Sequence, residues 1–509
     1  MLSGIALLAK LYQLQFTQAA WLQKQARGQQ QVQVGPFTPR RPILDRNDDV
    51  LALDKPVFTL YAHPALFKVD KAAIAEQLAG LLNRTPADLV KLFGTAKTGI
   101  RVQDGLPEEV GNQIFNLGLD GLDLELHQQR FYPQKDLFGD ILGYVDTENQ
   151  GRAGLELSQQ NLLQYSIPSI QLNQTARGSF LPDRVPTNFF RFDEGRLQLT
   201  LDSRLQWVAQ TALKQQLAKY QAKRGAVIVM DAKDGSLLSL VSEPTYNPNQ
   251  YFKADLAQFK NWVLMDRYEP GSTFKPINVA IALEAGAIKP NDTFYDEGQL
   301  SIGGASVENF DFSSRGGHGV ISVSEILQYS SNVGMVHIMS QLKAKDYYSW
   351  LDRLGFGKQM AVDLPSDVAG FLKAKDEFVN YPIEPAAAAF GQGFSLTPLK
   401  LVQLHGMLAN GGKLVTPHVI KGIVNAKGQL VGQQPQLPPP QRIFSPQTAQ
   451  TVAEMMENVV NKGTGKPARI PGYRIGGKTG TAQKANPYGG YYAHAKITSF
   501  VGILPIDHP

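Results

Sequence analysis

The chain has 509 residues, 43% hydrophobic and 19% charged, the composition of a globular protein with room for two or more domains and sizeable cores. Fifty basic residues against 45 acidic ones leave a net charge of +5. That excess is too small and too scattered to argue for nucleic acid as a partner, and it reads as a solvated mixed surface. No cysteine is present, which fits an exported protein that avoids stray thiols as well as it fits a cytosolic one. The eight histidines show no metal-ligand spacing, so no metal and no cofactor is expected.

In chain order, Leu2–Ala9 is an apolar run that Lys10 interrupts and that Gln13, Gln15, Thr17 and Gln18 dilute. It falls short of the roughly 20 mainly apolar residues of a membrane span, and it lacks the basic start and small-residue cleavage site of a signal peptide. A soluble amphipathic helix is the alternative reading. From about 25 to 195, short β-like runs alternate with polar helices. Val57–Tyr61 alternates as a strand, and Lys71–Leu82 and Pro86–Phe93 read as helices. No catalytic constellation falls there, and none of the acidic motifs of a glycan-polymerising domain, so positioning or partner binding is the expected role.

The pattern places a boundary at 195/196. Leu197–Leu201 is a predicted strand, and Asp202 caps a helix from Ser203 to about Tyr220 with Leu205, Val208, Ala212, Leu213 and Leu217 on one apolar face. Ala226–Met230 and Ser236–Val241, joined through Asp234-Gly235, predict a hairpin. Helices are predicted over Ile277–Ala285, Ile321–Leu342 and Pro446–Asn461, the last with Val452, Met455, Met456 and Val459 on one side; Gln433–Pro440 is a loop. Arg474–Gln483 and Ile497–Leu504 read as neighbouring strands joined through Asn486–Gly490. Strands at both ends with helices between them predict an α/β sheet covered by helices.

Three motifs fall in one order within this second region: Ser272-Thr273-Phe274-Lys275, Ser330-Ser331-Asn332 and Lys478-Thr479-Gly480-Thr481. Each is weak alone. S-x-x-K is expected about twice by chance in such a chain, and Ser340–Lys343 is indeed a second copy, as Lys97-Thr98-Gly99 is a second K-T-G. Context separates the copies. Pro270-Gly271 forces a turn before Ser272, and the apolar residues that follow predict a buried helix on which Lys275 stands one turn from the Ser272 hydroxyl. Gly476-Gly477 ahead of Lys478 suits an edge strand that a ligand backbone approaches closely.

The motif set matches that of β-lactamases and penicillin-binding proteins. The chain resembles the class B penicillin-binding proteins over nearly its whole length. Arg224–Asp231 with Asp234–Ser239, Pro244–Asn249, Asp363-Leu364-Pro365, Phe390–Gly393 with Thr397-Pro398, and Ala409–Gly412 resemble their transpeptidase domain. Arg41–Asn47, Arg130–Pro133 and Gly154-Leu155-Glu156 resemble their non-catalytic module. Ser-Ser-Asn and Lys-Thr-Gly-Thr resemble the septal, cell-division subtype. The resemblance implies an antiparallel sheet flanked by helices, preceded by a β-rich α+β module. It divides the chain into a partial membrane or juxtamembrane helix (1–24), a pedestal or dimerisation module (25–195) and a transpeptidase domain (196–509) that ends before the family's last strand and terminal helix. The expectation is that these 509 residues alone fold poorly and label weakly with penicillin. A single N-terminal anchor in the plasma (inner) membrane, with the catalytic domain outside the cytoplasm, is implied.

A serine hydroxyl needs a base, and Lys275 can serve if burial and a second cation, Lys478, lower its pKa. Ser330 can relay a proton to the leaving amine. Asn332 can hold a substrate amide, and Thr479, Gly480 and Thr481 with Lys478 suit a substrate carboxylate. By resemblance, the backbone N–H groups of Ser272 and Thr481 hold the oxyanion. His318 reads as a loop residue and Asp363 as structural. The implied reaction is D,D-transpeptidation of peptidoglycan stem peptides, with β-lactams acylating Ser272 and division-complex proteins, including a glycan polymerase, as partners. Two other readings stay open: a D,D-carboxypeptidase or β-lactamase with water as acceptor, and a β-lactam-binding sensor or scaffold without turnover.

Overall fold

The computed structural model describes residues 39–164, 194–431, 436–485 and 490–509, short stretches at 10–19, 21–22, 31–34, 170–174 and 180–181, and the single residues 4 and 7. Most of the expected link between the last two strands, at 486–489, lies outside the described residues, as do 433–435 of the Gln433–Pro440 loop. Among the described residues no helix is long and apolar enough to cross a membrane.

The chain divides into two units. The smaller comprises Met1–Pro42, Ala52–Phe131 and Gln160–Arg196, and the larger Ile43–Leu51, Tyr132–Gln159 and Leu197–Pro509. In the smaller unit, the strand Val50–Ala62 pairs antiparallel with Ile100–Pro107 on one side and Leu122–Phe131 on the other. Helices Lys71–Leu82 and Pro86–Phe93 start where predicted, because the side chains of Asp70 and Thr85 accept the free N–H groups of their first turns. Their apolar faces bury Ile74, Leu78, Leu82, Leu89 and Phe93 against Leu60, Ile100 and Val102. Arg130 and Asp54, each 2% exposed, form an ion pair of 3.1 Å, and the same carboxylate accepts from the Arg40 N–H at 2.6 Å.

The larger unit opens with β1 (Ile43–Leu44), which pairs in parallel with β2 (Arg196–Leu199). The helix α1 (Ser203–Tyr220) is capped by Asp202 as expected, but its buried face differs from the one predicted. Gln206, Ala209, Gln210 and Leu213 face inward, while Val208 and Ala212 are exposed. The reason is hydrogen bonding. The Gln206 amide donates to the carbonyls of Leu137 and Leu240, and its oxygen accepts from Ser239 Oγ and Leu240 N–H. A polar side chain with all these partners is buried at little cost.

Strands β3 (Gly225–Met230) and β4 (Leu237–Glu243) form the predicted antiparallel hairpin, with Gly235 at φ +90° in its turn. A 3-10 turn at Gly271–Phe274 runs into α2 (Lys275–Glu284), a helix almost wholly inside the core. The predicted helix over Ile321–Leu342 is broken. A strand (Gly319–Ser322) enters α3 (Val323–Tyr329), Ser330 adopts a left-handed conformation, and α4 (Asn332–Ser340) starts afresh with Ser331 as its cap. Helix α5 (Pro398–Ala409) follows, then β5 (Ile420–Val424), whose sheet neighbour is β2. Helix α6 (Pro446–Lys462) buries Val452, Met455, Met456 and Val459, as predicted. The chain closes with the antiparallel pair β6 (Gly476–Ala485) and β7 (Tyr491–Ile503). Helices α2 to α6 contribute to one core, which backs the motif-bearing elements.

Candidate active site

The first motif rides on a turn that three glycine contacts shape. Gly271 has φ +55°, and its N–H donates to the Gly391 carbonyl at 2.9 Å. Gly391, at φ +86°, lies so close that an added Cβ would stand 2.1 Å from the Gly271 carbonyl oxygen. On the other side a Cβ at Gly480 would meet Thr273 Cγ2 at 2.8 Å, Ser499 Oγ at 2.9 Å and the Pro270 carbonyl at 3.2 Å. The Ser272 turn is thus pressed between the 391 turn and β6. Gly476 and Gly477 serve packing instead. Cβ atoms there would strike Ile506 and the Phe500 ring, so they do not mark a ligand approach.

Lys275, fully buried, points across the core toward the second motif. Its Nζ donates to the Ser330 carbonyl at 2.6 Å and to Asn332 Oδ1 at 2.7 Å, with Ser330 Oγ at 3.4 Å. Lys478, also fully buried, donates to Ser330 Oγ at 2.9 Å and to the Thr479 carbonyl at 3.0 Å. The two amines therefore meet at one hydroxyl. Burial lowers the Lys275 ammonium well below its ordinary value, and the Lys478 charge lowers it further, against a raising effect of Asp296. Burial also lowers Lys478, to about 7.

Ser330 reaches this place because α3 ends in a left-handed residue (φ 62°), which turns the chain so that its carbonyl and hydroxyl both face the lysines. Sequence reasoning missed what holds that turn. Asn309 Oδ1 accepts from Ser331 Oγ and from the N–H groups of Asn332 and Val333, and its amide nitrogen donates to both oxygens of the buried Asp296. Asn332 Nδ2 donates to the Glu308 carbonyl at 2.9 Å. With Oδ1 on Lys275, one Asn332 N–H is left for a further acceptor. Thr479 Oγ1 donates to Thr464 Oγ1 at 3.0 Å, while Thr481 is exposed on β6.

The duplicate motifs stand apart from this cluster. Ser340 ends α4 in solvent, its hydroxyl donating to the His337 carbonyl of its own helix. Lys97 and Thr98 lie in an exposed turn of the smaller unit. His318 stacks on Tyr329 with rings 4.9 Å apart and 4° from parallel, and Asp363 accepts the N–H groups of Val419 and Ile420.

A buried serine-and-lysine cluster on a helical domain closed by a β-hairpin defines a serine acyl-transferase of the penicillin-binding type. The transpeptidase-domain model of penicillin-binding proteins matches residues 225–509, and the penicillin-binding-protein dimerisation-domain model matches 37–179. The chain belongs to the penicillin-binding D,D-transpeptidases, in the class B branch that joins these two modules. It is 40% identical to the peptidoglycan D,D-transpeptidase FtsI homolog of Mesostigma viride over 99% of this chain and 87% of the relative. It is 32% identical to the stage V sporulation protein D of Bacillus subtilis, over 93% and 73% of the two chains. Penicillin binding protein 3 of Mycobacterium tuberculosis, solved in complex with aztreonam, superposes with a TM-score of 0.69 at 25% identity, covering 93% of this chain and 88% of that one.

Proposed function

We propose that Ser272, Lys275, Ser330, Asn332 and Lys478 carry the D,D-transpeptidation of peptidoglycan in this chain, with Thr479, Gly480 and Thr481 binding substrate. The observation that carries this reading is the meeting of two buried lysines at Ser330, one of them a single helical turn from Ser272.

A neutral Lys275 amine has two N–H donors, enough for its short bonds to the Ser330 carbonyl and Asn332 Oδ1, and a lone pair to take the Ser272 proton. Ser272 Oγ then attacks the carbonyl between two D-alanines. The oxyanion lies against the N–H groups of Ser272 and Thr481, where one donor is worth about 3 kcal/mol. Ser330 accepts from Lys478 and passes its own proton toward the leaving nitrogen, so the C–N bond breaks and D-Ala departs. An amine of a second stem peptide attacks the ester, loses its proton through the same groups and frees Ser272. Lys478 with the Thr479 and Thr481 hydroxyls suits the terminal carboxylate, and the free N–H of Asn332 suits a peptide carbonyl. β-Lactams form the same ester with Ser272.

The family and the extracytoplasmic substrate favour a membrane-anchored protein of septal wall synthesis that works beside a glycan polymerase. On that reading, the functional modules divide near 195.

The test is acceptor choice. With a D-Ala-D-Ala donor and an amino acceptor, cross-linked product should exceed hydrolysis, and the penicilloyl-enzyme should last many minutes. Rapid release of penicilloate over many turnovers would make the protein a β-lactamase, and binding without a covalent product would make it a sensor.

A further inference from the structure

Two consecutive residues just before Ser272 reach across to the last strand. The Tyr268 hydroxyl lies beside the Ser499 side chain. Ser499 faces Gly480 across the β6–β7 ladder. Glu269 binds further along. Its Oε2 accepts from the Tyr491 hydroxyl at 2.8 Å, and its Oε1 accepts from the Gly393 N–H at 3.0 Å. One carboxylate thus ties together the Ser272 turn, the 391–393 turn and the far end of the hairpin.

The hairpin is built for that contact. Up to Gln483↔Lys496 the register is regular. Between there and Ala485↔Tyr491, β6 advances two residues while β7 runs back five. The extra residues form a bulge, a device that re-aims side chains and bends a strand away from its ladder. Here it brings Tyr491 to Glu269 instead of letting the hairpin run on straight. The bond is partly exposed, and Tyr491 is 42% accessible, so its contribution to global stability is small. A bond of that kind matters for where the end of the hairpin rests.

We propose that Glu269 is a positioning residue that clasps the bulged end of the β6–β7 hairpin to the turn carrying Ser272, and so sets the opening through which an acyl donor reaches the serine. The proposal rests on the reading of Ser272 and β6 as the two sides of the donor site. The clasp itself is a matter of contacts, and can be measured apart from activity. Opening it weakens capture of the donor and leaves the chemistry, which lies with the buried lysines, at its normal rate.

Tyr491→Phe removes the hairpin arm and leaves the Gly393 bond. Glu269→Gln keeps both bonds, because the amide oxygen can accept from Gly393 while its nitrogen donates to the Tyr491 oxygen. Hydrogen exchange should be faster in residues 490–497 of Tyr491→Phe, about five-fold for one such bond, with the amides of Lys478–Thr481 unchanged, and near normal throughout Glu269→Gln. Acylation by a fluorescent penicillin should show a saturation constant raised about five-fold in Tyr491→Phe, a limiting rate within two-fold of the parent, and recovery in Glu269→Gln. Unchanged exchange at 490–497 would overturn the clasp, whatever the enzyme does. Faster exchange with an unchanged saturation constant would overturn its role in donor capture. A parent protein that takes no label at Ser272 would instead count against the assignment of the serine, while the exchange data would still decide on the clasp.

Discussion

Lys478 donates a 2.9 Å hydrogen bond to the hydroxyl of Ser330, and Ser330 stands there only because its backbone is left-handed, φ 62°, at the break between α3 and α4. A non-glycine residue in that conformation costs roughly 1 kcal/mol, and such strain persists where surrounding structure over-determines it.

Strain and hydroxyl separate in two variants. Ser330→Ala and Ser330→Gly both remove the relay, and each should lower the rate of aminolysis at least about 100-fold. Glycine alone relieves the backbone, so Ser330→Gly should melt above Ser330→Ala by roughly 1–2 °C, the shift that ~1 kcal/mol gives in a domain of this size. Thermal melts of the pair check this; equal melting temperatures would mean that the turn is not strained.

Acylation should show a bell-shaped pH profile. The rate rises as Lys275 loses its proton, and this limb lies well below the ordinary lysine range because burial and Lys478 both disfavour the charge. It falls as Lys478 loses its own proton near about 7, removing the cation that orders Ser330. The limbs belong to the coupled pair. Lys275→Arg, charged at every accessible pH, should abolish the rising limb and reduce acylation at least about 1,000-fold; stopped-flow penicillin labelling from pH 5 to 10 measures the profile.

Gly480→Ala should be far more damaging than an ordinary edge-strand substitution. Its Cβ would lie 2.8 Å from Thr273 Cγ2 and 3.2 Å from the Pro270 carbonyl, forcing β6 away from the Ser272 turn. Displacements of this kind near reacting groups cost about 100-fold. Penicillin acylation kinetics should show that loss with the melting temperature little changed.

Asp140 offers a stability test away from the site. It is buried, and desolvation raises its pKa to about 7 despite the bond from Ser242 Oγ at 2.6 Å. Between the unfolded value near 4 and the folded value, the native state holds the extra proton, so this contribution to stability falls as pH rises through that window. Asp140→Asn keeps an acceptor for Ser242 and has no charge to bury. It should stabilise at pH 8 by roughly 1–2 °C for each kcal/mol recovered and give no gain at pH 4. Melts at the two pH values check the sign.

Much of this was legible beforehand, and for identifiable reasons. Helix starts follow from side-chain caps at Asp70, Thr85, Asp202 and Ser445, which act locally. The order of the three motifs pointed to one site, and the lysines do meet at Ser330. The break at Ser330 was hidden because apolar periodicity runs through it, while the left-handed turn is held by Asn309, more than 20 residues upstream. The inward face of α1 was misread because Gln206 counts as polar until its four partners are known. Tyr491 carried no signal, since a bulge and a distant carboxylate place it.

The central claim is that Ser272 is the nucleophile. Treating the protein with penicillin and mapping the adduct by peptide mass spectrometry tests it most directly. One penicilloyl group per chain on the Ser272 peptide, absent from Ser272→Ala and retained in Ser340→Ala, is the predicted result. An adduct that persists in folded Ser272→Ala, or that maps to another serine in the parent protein, would contradict the account.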